Sequence, residues 1–109
     1  MTVTFELDGQ EYIALNGGPE FKFTPAISFY VHCETQDEVD ELWEKLSAGG
    51  EPGPCGWLKD KYGLSWQIVP TAMEEMMASN DATKTARVTE AFLKMKKFDI
   101  AALARAAAG

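Results

Sequence analysis

"AISFYVHCETQDEVDELWEKLSAGG", residues 26–50, holds a strand, a helix and the punctuation between them. In its first part Ile27, Phe29 and Val31 alternate with Ser28, Tyr30 and His32, the period of two expected of a half-buried strand. Thr35 followed by Glu38 makes a capping box, in which the hydroxyl and the carboxylate satisfy the first free amides of a helix. Val39, Leu42, Trp43 and Leu46 then fall at i, i+3, i+4 and i+7, an apolar stripe on one helix face. Gly49-Gly50 ends the helix. The stripe is expected to pack on a sheet face carrying Ile27, Phe29, Leu64, Trp66 and Ile68.

Upstream, "VTFELDGQEYIAL" is two alternating runs around Asp8-Gly9, a pair suited to a tight hairpin turn at positive φ. "NGGPEFKFTP" then reads as a loop. Downstream, "EPGPCGWLKD" predicts a short strand around Trp57, and "LSWQIV" predicts the last strand. The order is β-β, then β-α-β-β. In that last strand a single uncharged amide, Gln67, stands in mid-strand where water would favour a charge. After Pro70 the pattern turns helical. Thr71 with Glu74 predicts a second capping box, opening a short helix with Met73, Met76 and Met77. Asp81 is placed to cap "DATKTARVTEAFLKM" with its stripe of Val88, Phe92 and Met95, and Asp99 to cap "IAALARAAA".

Bulk properties narrow the function. The chain has 109 residues, enough for one modest core, and 46% hydrophobic with 25% charged residues is ordinary for a globular protein. No apolar run approaches the roughly 20 residues that span a bilayer, and the N-terminus lacks the basic-then-apolar order of a signal peptide. The cytoplasm is the expected location. A net charge of −7 argues against electrostatic binding to nucleic acid or anionic membrane. Two cysteines, Cys33 and Cys55, are expected as free thiols.

Catalytic signatures are mostly missing. No G-x-G-x-x-G opens a helix after a strand, and no P-loop or G-x-S-x-G elbow is present. One histidine cannot supply a three-His metal site. His32 and Cys33 are neighbours on a strand and point to opposite faces, so His32 reads as an ordinary strand-end residue. Cys55, between Pro54 and Gly56, is either a reactive loop thiol or, the plainer reading, a small residue packed at a strand start. The acidic residues Asp37, Glu38, Asp40, Glu41 and Glu44 read as a solvated helix face, and the methionines as core.

The stretch from Ala26 to Pro70, together with "KTARVTEAFLKMKKFDIAALARA", resembles the PhnB-like family, whose members include some labelled 3-demethylubiquinone-9 3-methyltransferase. That family belongs to the vicinal oxygen chelate superfamily, with glyoxalase I and bleomycin-resistance proteins. The resemblance implies an α+β fold made of a βαβββ module, preceded by a β-hairpin and followed by C-terminal helices. Residues 1–18 would be the last two strands of a first module, 24–70 the second module and 71–109 the helices, all in one domain. The βα unit that opens the first module in typical members is absent from this sequence. In the superfamily a strand ending like "P-D-G-N-x-I-E-L" supplies a metal-binding Glu, and that Glu falls on Gln67. The other two slots fall on Ala14 and near Ser28. An amide, a methyl group and a hydroxyl are poor substitutes for carboxylate or imidazole, so neither a metal nor a cofactor is expected. Nor does the methyltransferase label bring a methyl-donor site with it, since no glycine-rich loop follows a strand.

The resulting expectation is a metal-independent cup that binds a small molecule, or a cryptic enzyme, with Ser28, Tyr30, Gln67, Trp57 and Cys55 on its wall. The alternative is a non-catalytic structural module whose sheet serves to dimerise. A homodimer is expected on either reading, because Val3, Phe5, Leu7, Ile13 and Leu15 are too apolar for an isolated hairpin. Nothing in the sequence names a substrate or a reaction.

Overall fold

A computed structural model describes all 109 residues. β1 (Thr2–Leu7) and β2 (Gln10–Leu15) form the hairpin. Asp8 and Gly9 both take positive φ, 51° and 78°, as a two-residue turn with the right-handed twist of its strands requires. The register places Val3, Phe5 and Leu7 beside Ala14, Tyr12 and Gln10 on one face, and Ile13 and Leu15 beside Thr4 and Thr2 on the other. These two strands make a sheet of their own.

The second sheet is the βαβββ module: β3 (Ser28–Cys33), α1 (Gln36–Ser47), β4 (Glu51–Pro52), β5 (Trp57–Lys59) and β6 (Ser65–Pro70), in spatial order β3-β6-β5-β4. β3 runs parallel to β6, which the α1 crossover permits, and the other pairs are antiparallel. The mixed α+β fold agrees with the sequence reading. The Thr35 hydroxyl accepts the Glu38 amide at 3.2 Å and caps α1. Asp60 organises the turn into β6: Oδ1 accepts the amides of Tyr62 and Leu64, and Oδ2 accepts the Trp66 indole N–H at 2.9 Å.

Two cores lie on opposite faces of this sheet. Cys33, Val39, Leu58 and Ile68 are buried between sheet and α1, with Leu42, Trp43, Leu46 and Trp66 packed around them. On the far face, Val69, Val88, Phe98 and Leu103 form a second core under α2 (Thr71–Met77), α3 (Ala82–Phe92) and α4 (Ile100–Ala108). Asp81 caps α3 and Asp99 caps α4, as their positions predict. The Gln36 side chain ties α1 to α4, donating to the Phe98 carbonyl at 2.9 Å and accepting the Ile100 amide at 2.7 Å.

Four expectations are corrected. Ile27 lies outside the α1 core, 72% exposed, because β3 begins after it. Two residues, Glu51 and Pro52, form a strand too short for any periodicity to reveal. α3 ends at Phe92, and Met95 packs from the turn beyond it. Thr71 and Glu74 make no capping box: the N-cap position falls on Pro70, and both side chains turn to β3 and the residue after it.

Candidate functional site

Alternation along β3 and β6, combined with their register, sorts the sheet into two faces. Phe29, Val31, Trp66, Ile68 and Leu58 share the α1 side. Opposite them, Tyr30, Gln67 and Trp57 stand in one cross-strand row, and Ser28, Ser65 and Lys59 stand in the next. His32 pairs with Val69 at the end nearest the C-terminal helices. Four of the five residues singled out from sequence, Ser28, Tyr30, Gln67 and Trp57, therefore lie on one face within two adjacent rows.

Gln67 looks at Ser28. Its Nε2 donates to the Ser28 hydroxyl at 3.0 Å, diagonally across β3 and β6. In the row beside it, Ser65 is buried, and its hydroxyl has no hydrogen-bond partner in the chain. A buried hydroxyl without a partner is unusual and costs on the order of 1–3 kcal/mol. Ser65 also borders a groove of about 550 Å³ along β4 and β5, walled by Pro25, Pro52, Pro54, Trp57 and Lys59.

His32 and Glu74 were absent from the sequence-based wall. His32 Nδ1 lies 2.7 Å from Glu74 Oε1, with both side chains partly open to solvent. The Tyr30 ring packs on His32 at a centroid distance of 4.9 Å. Partial burial, and then the Glu74 carboxylate, push the Tyr30 phenol above its ordinary pKa. No local signal joins His32 to Glu74, since 42 positions separate them and the contact depends on how α2 leaves β6.

Cys55 stands apart from these rows. It occupies the turn between β4 and β5 with φ of 56°, half-buried against the second core, and its amide donates to the Met95 carbonyl at 2.8 Å. Gly56 follows with φ of 80°, its amide on the Lys96 carbonyl, and a Cβ there would sit 2.4 Å from the Phe98 ring. This turn docks the sheet on the helices. Cys33 is fully buried, and burial, then Glu38 and Glu34, raise its thiol pKa.

The residues do not fit the superfamily's metal. Ser28 and Gln67 are neutral and bonded to each other, and Ala14 lies in the separate hairpin sheet with no donor. No three His, Cys, Asp or Glu side chains converge anywhere in the chain.

The family profile described as 3-demethylubiquinone-9 3-methyltransferase matches residues 1–69, the hairpin and nearly all of the βαβββ module. Among solved structures, a PhnB protein from Bacillus cereus, labelled a candidate 3-demethylubiquinone-9 3-methyltransferase, is 39% identical with a TM-score of 0.56. The match covers 64% of this chain and 64% of that one. No curated protein matches.

Proposed function

Because the chain belongs to the 3-demethylubiquinone-9 3-methyltransferase family of PhnB type, we propose that it binds a small molecule on the open sheet face, without a divalent metal. The observation that carries this reading is the pair of rows in which Ser28, Tyr30, Gln67 and Trp57 share one face, with Gln67 held on Ser28. Convergent polar groups between aromatic walls are what a ligand site offers. The unpartnered Ser65 hydroxyl beside the groove adds a further group able to bind. Methyl transfer, the reaction in the family's name, receives no support from the strand-to-helix turns. β3 enters α1 through Glu34-Thr35 and β6 enters α2 at Pro70, with no glycine to admit a donor's charged end.

A second reading, self-association, is favoured by the hairpin. Val3, Ile13 and Leu15 are all more than half exposed, and one hairpin face is almost wholly apolar. A homodimer would cover this surface, and the single sheet would then form half of a shared cup. The two readings are compatible. Native mass spectrometry of the purified chain tests them together. Two chains carrying a retained small molecule and no metal is the expected result, and Gln67→Ala should reduce the retained fraction. A bound divalent ion at one per chain would overturn the metal-independent reading.

A further inference from the structure

Glu51, Lys59 and Ser65 stand side by side in one row across β4, β5 and β6, on the sheet face turned away from α1. Glu51 and Lys59 are partners in register, yet neither enters any of the chain's four ion pairs. That is ordinary for exposed charges, which water serves about as well as a counter-ion does. Ser65 is different. The residue is only 1% exposed, and its hydroxyl has no hydrogen-bond partner in the chain. A buried hydroxyl left unpaired lowers stability, and a group from outside the chain is what would complete it.

The groove that Ser65 borders holds about 550 Å³, a size suited to a small molecule, with Pro25, Pro52, Pro54 and Trp57 as its apolar walls. An added β-strand finds no free amide along residues 52–56. Pro52 and Pro54 have no amide hydrogen, and the amides of Gly53, Cys55 and Gly56 already donate to the carbonyls of Trp57, Met95 and Lys96. Recognition is therefore left to side chains. Lys59 and Ser65 are neighbours in the row and both can donate, so together they suit one carboxylate. Trp57, one row away, offers its ring to an apolar body. Glu51, at the outer end of the row, disfavours a second negative group.

We infer that this groove takes a small monocarboxylate with an apolar body. The carboxylate oxygens accept hydrogen bonds from the Ser65 hydroxyl and the Lys59 ammonium, and the body lies against Trp57 and the prolines. This rests on the small-molecule reading above and names its ligand chemistry. Ser65 destabilises the free chain and gains its partner only on binding. Glu51 sets the preference for one negative charge over two.

The test uses 3-phenylpropionate, with 3-phenylpropylamine as a cation of similar shape and phenylsuccinate as a dianion. Calorimetric titration of the whole chain at neutral pH should show saturable binding of 3-phenylpropionate, with both other probes at least tenfold weaker. Ser65→Ala and Lys59→Gln should each weaken that binding at least tenfold, and Glu51→Gln should narrow the gap to phenylsuccinate. In the ligand-free chain Ser65→Ala should leave the thermal midpoint equal to wild type or above it, because it removes an unpaired polar atom. Binding of the amine as tight as that of the acid, or binding unchanged by Ser65→Ala, would overturn the carboxylate assignment and leave a small-molecule face standing. Failure of 3-phenylpropionate to bind would also overturn the assignment. The small-molecule reading itself would then be decided by whether the native mass spectrum shows a retained molecule.

Discussion

The β1–β2 hairpin and the βαβββ body are built from the same kind of alternating strands, yet only one has its apolar face covered. In the body, α1 closes one side of the sheet and the C-terminal helices close part of the other. The hairpin has no helix on either face. It meets the body through one aromatic series, in which Phe5 stacks on Tyr12 at 5.6 Å, Tyr12 touches Phe29 at 5.7 Å, and Phe29 meets the edge of Trp66 at 5.0 Å. The molecule is accordingly long, 53 × 26 × 23 Å, with a radius of gyration of 16.1 Å. A compact chain of this length would measure about 13 Å. An alternating pattern therefore specifies that a face wants burial without specifying what buries it.

The largest losses of stability are expected at the joint between sheet and helices, inside the covered body. Phe98→Ala empties the centre of the second core and should cost about 3–5 kcal/mol in denaturant unfolding. Gly56→Ala should cost at least as much, because the new Cβ meets the Phe98 ring and φ is positive. A midpoint near wild type for either would show that the helices are not docked on this turn. Trp43→Ala should cost about 3 kcal/mol, at the low end for an aromatic because its ring is only half-buried. Asp60→Ala removes three hydrogen bonds from the turn into β6 and should cost about 2 kcal/mol.

Smaller effects come from ionisation and from the hairpin itself. The Cys33 thiol is held above its ordinary pKa, mainly by burial, so the folded state disfavours the thiolate. Its contribution to stability is complete below the unfolded thiol value of about 8.5 and is lost as pH rises through the folded value. Unfolding midpoints should therefore fall as pH rises from about 8.5, and Cys33→Ala should flatten that slope. Cys33 should also resist a thiol reagent until the protein unfolds. By contrast Ile13→Ser, on the exposed face of β2, should change the body's unfolding by less than about 0.5 kcal/mol. Its amides, and those of the rest of the hairpin, should exchange with deuterium faster than those of β6 in any isolated chain.

Most of the fold, hairpin turn included, was legible because its signals are local. Asp8-Gly9, the Thr35 cap, the Val39–Leu46 stripe, Asp81 and Asp99 each act within one turn of chain, and each is found as read. The candidate face was legible in part for the same reason, since alternation puts Ser28 and Tyr30 together and Gln67 opposite Trp66. Long-range pairings were not. Nothing near Glu74 announces His32, and Thr71-x-x-Glu74 matches a capping box in every local respect. β6 simply runs to Pro70 and brings the first turn of α2 against β3. Cys55 is similar: its sequence context permits an open loop, and the contacts that bury half of it come from residues 95 and 98.

On the proposed self-association, the body folds by itself and a second copy covers the hairpin. Sedimentation equilibrium of the unmodified chain at low micromolar concentration tests it most directly. The expected result is twice the chain mass of 12.0 kDa, shifting toward the single-chain mass when Val3, Ile13 and Leu15 are changed to serine together, with the unfolding of the body preserved. A well-folded single chain at that concentration, with the hairpin amides protected from exchange, would contradict it.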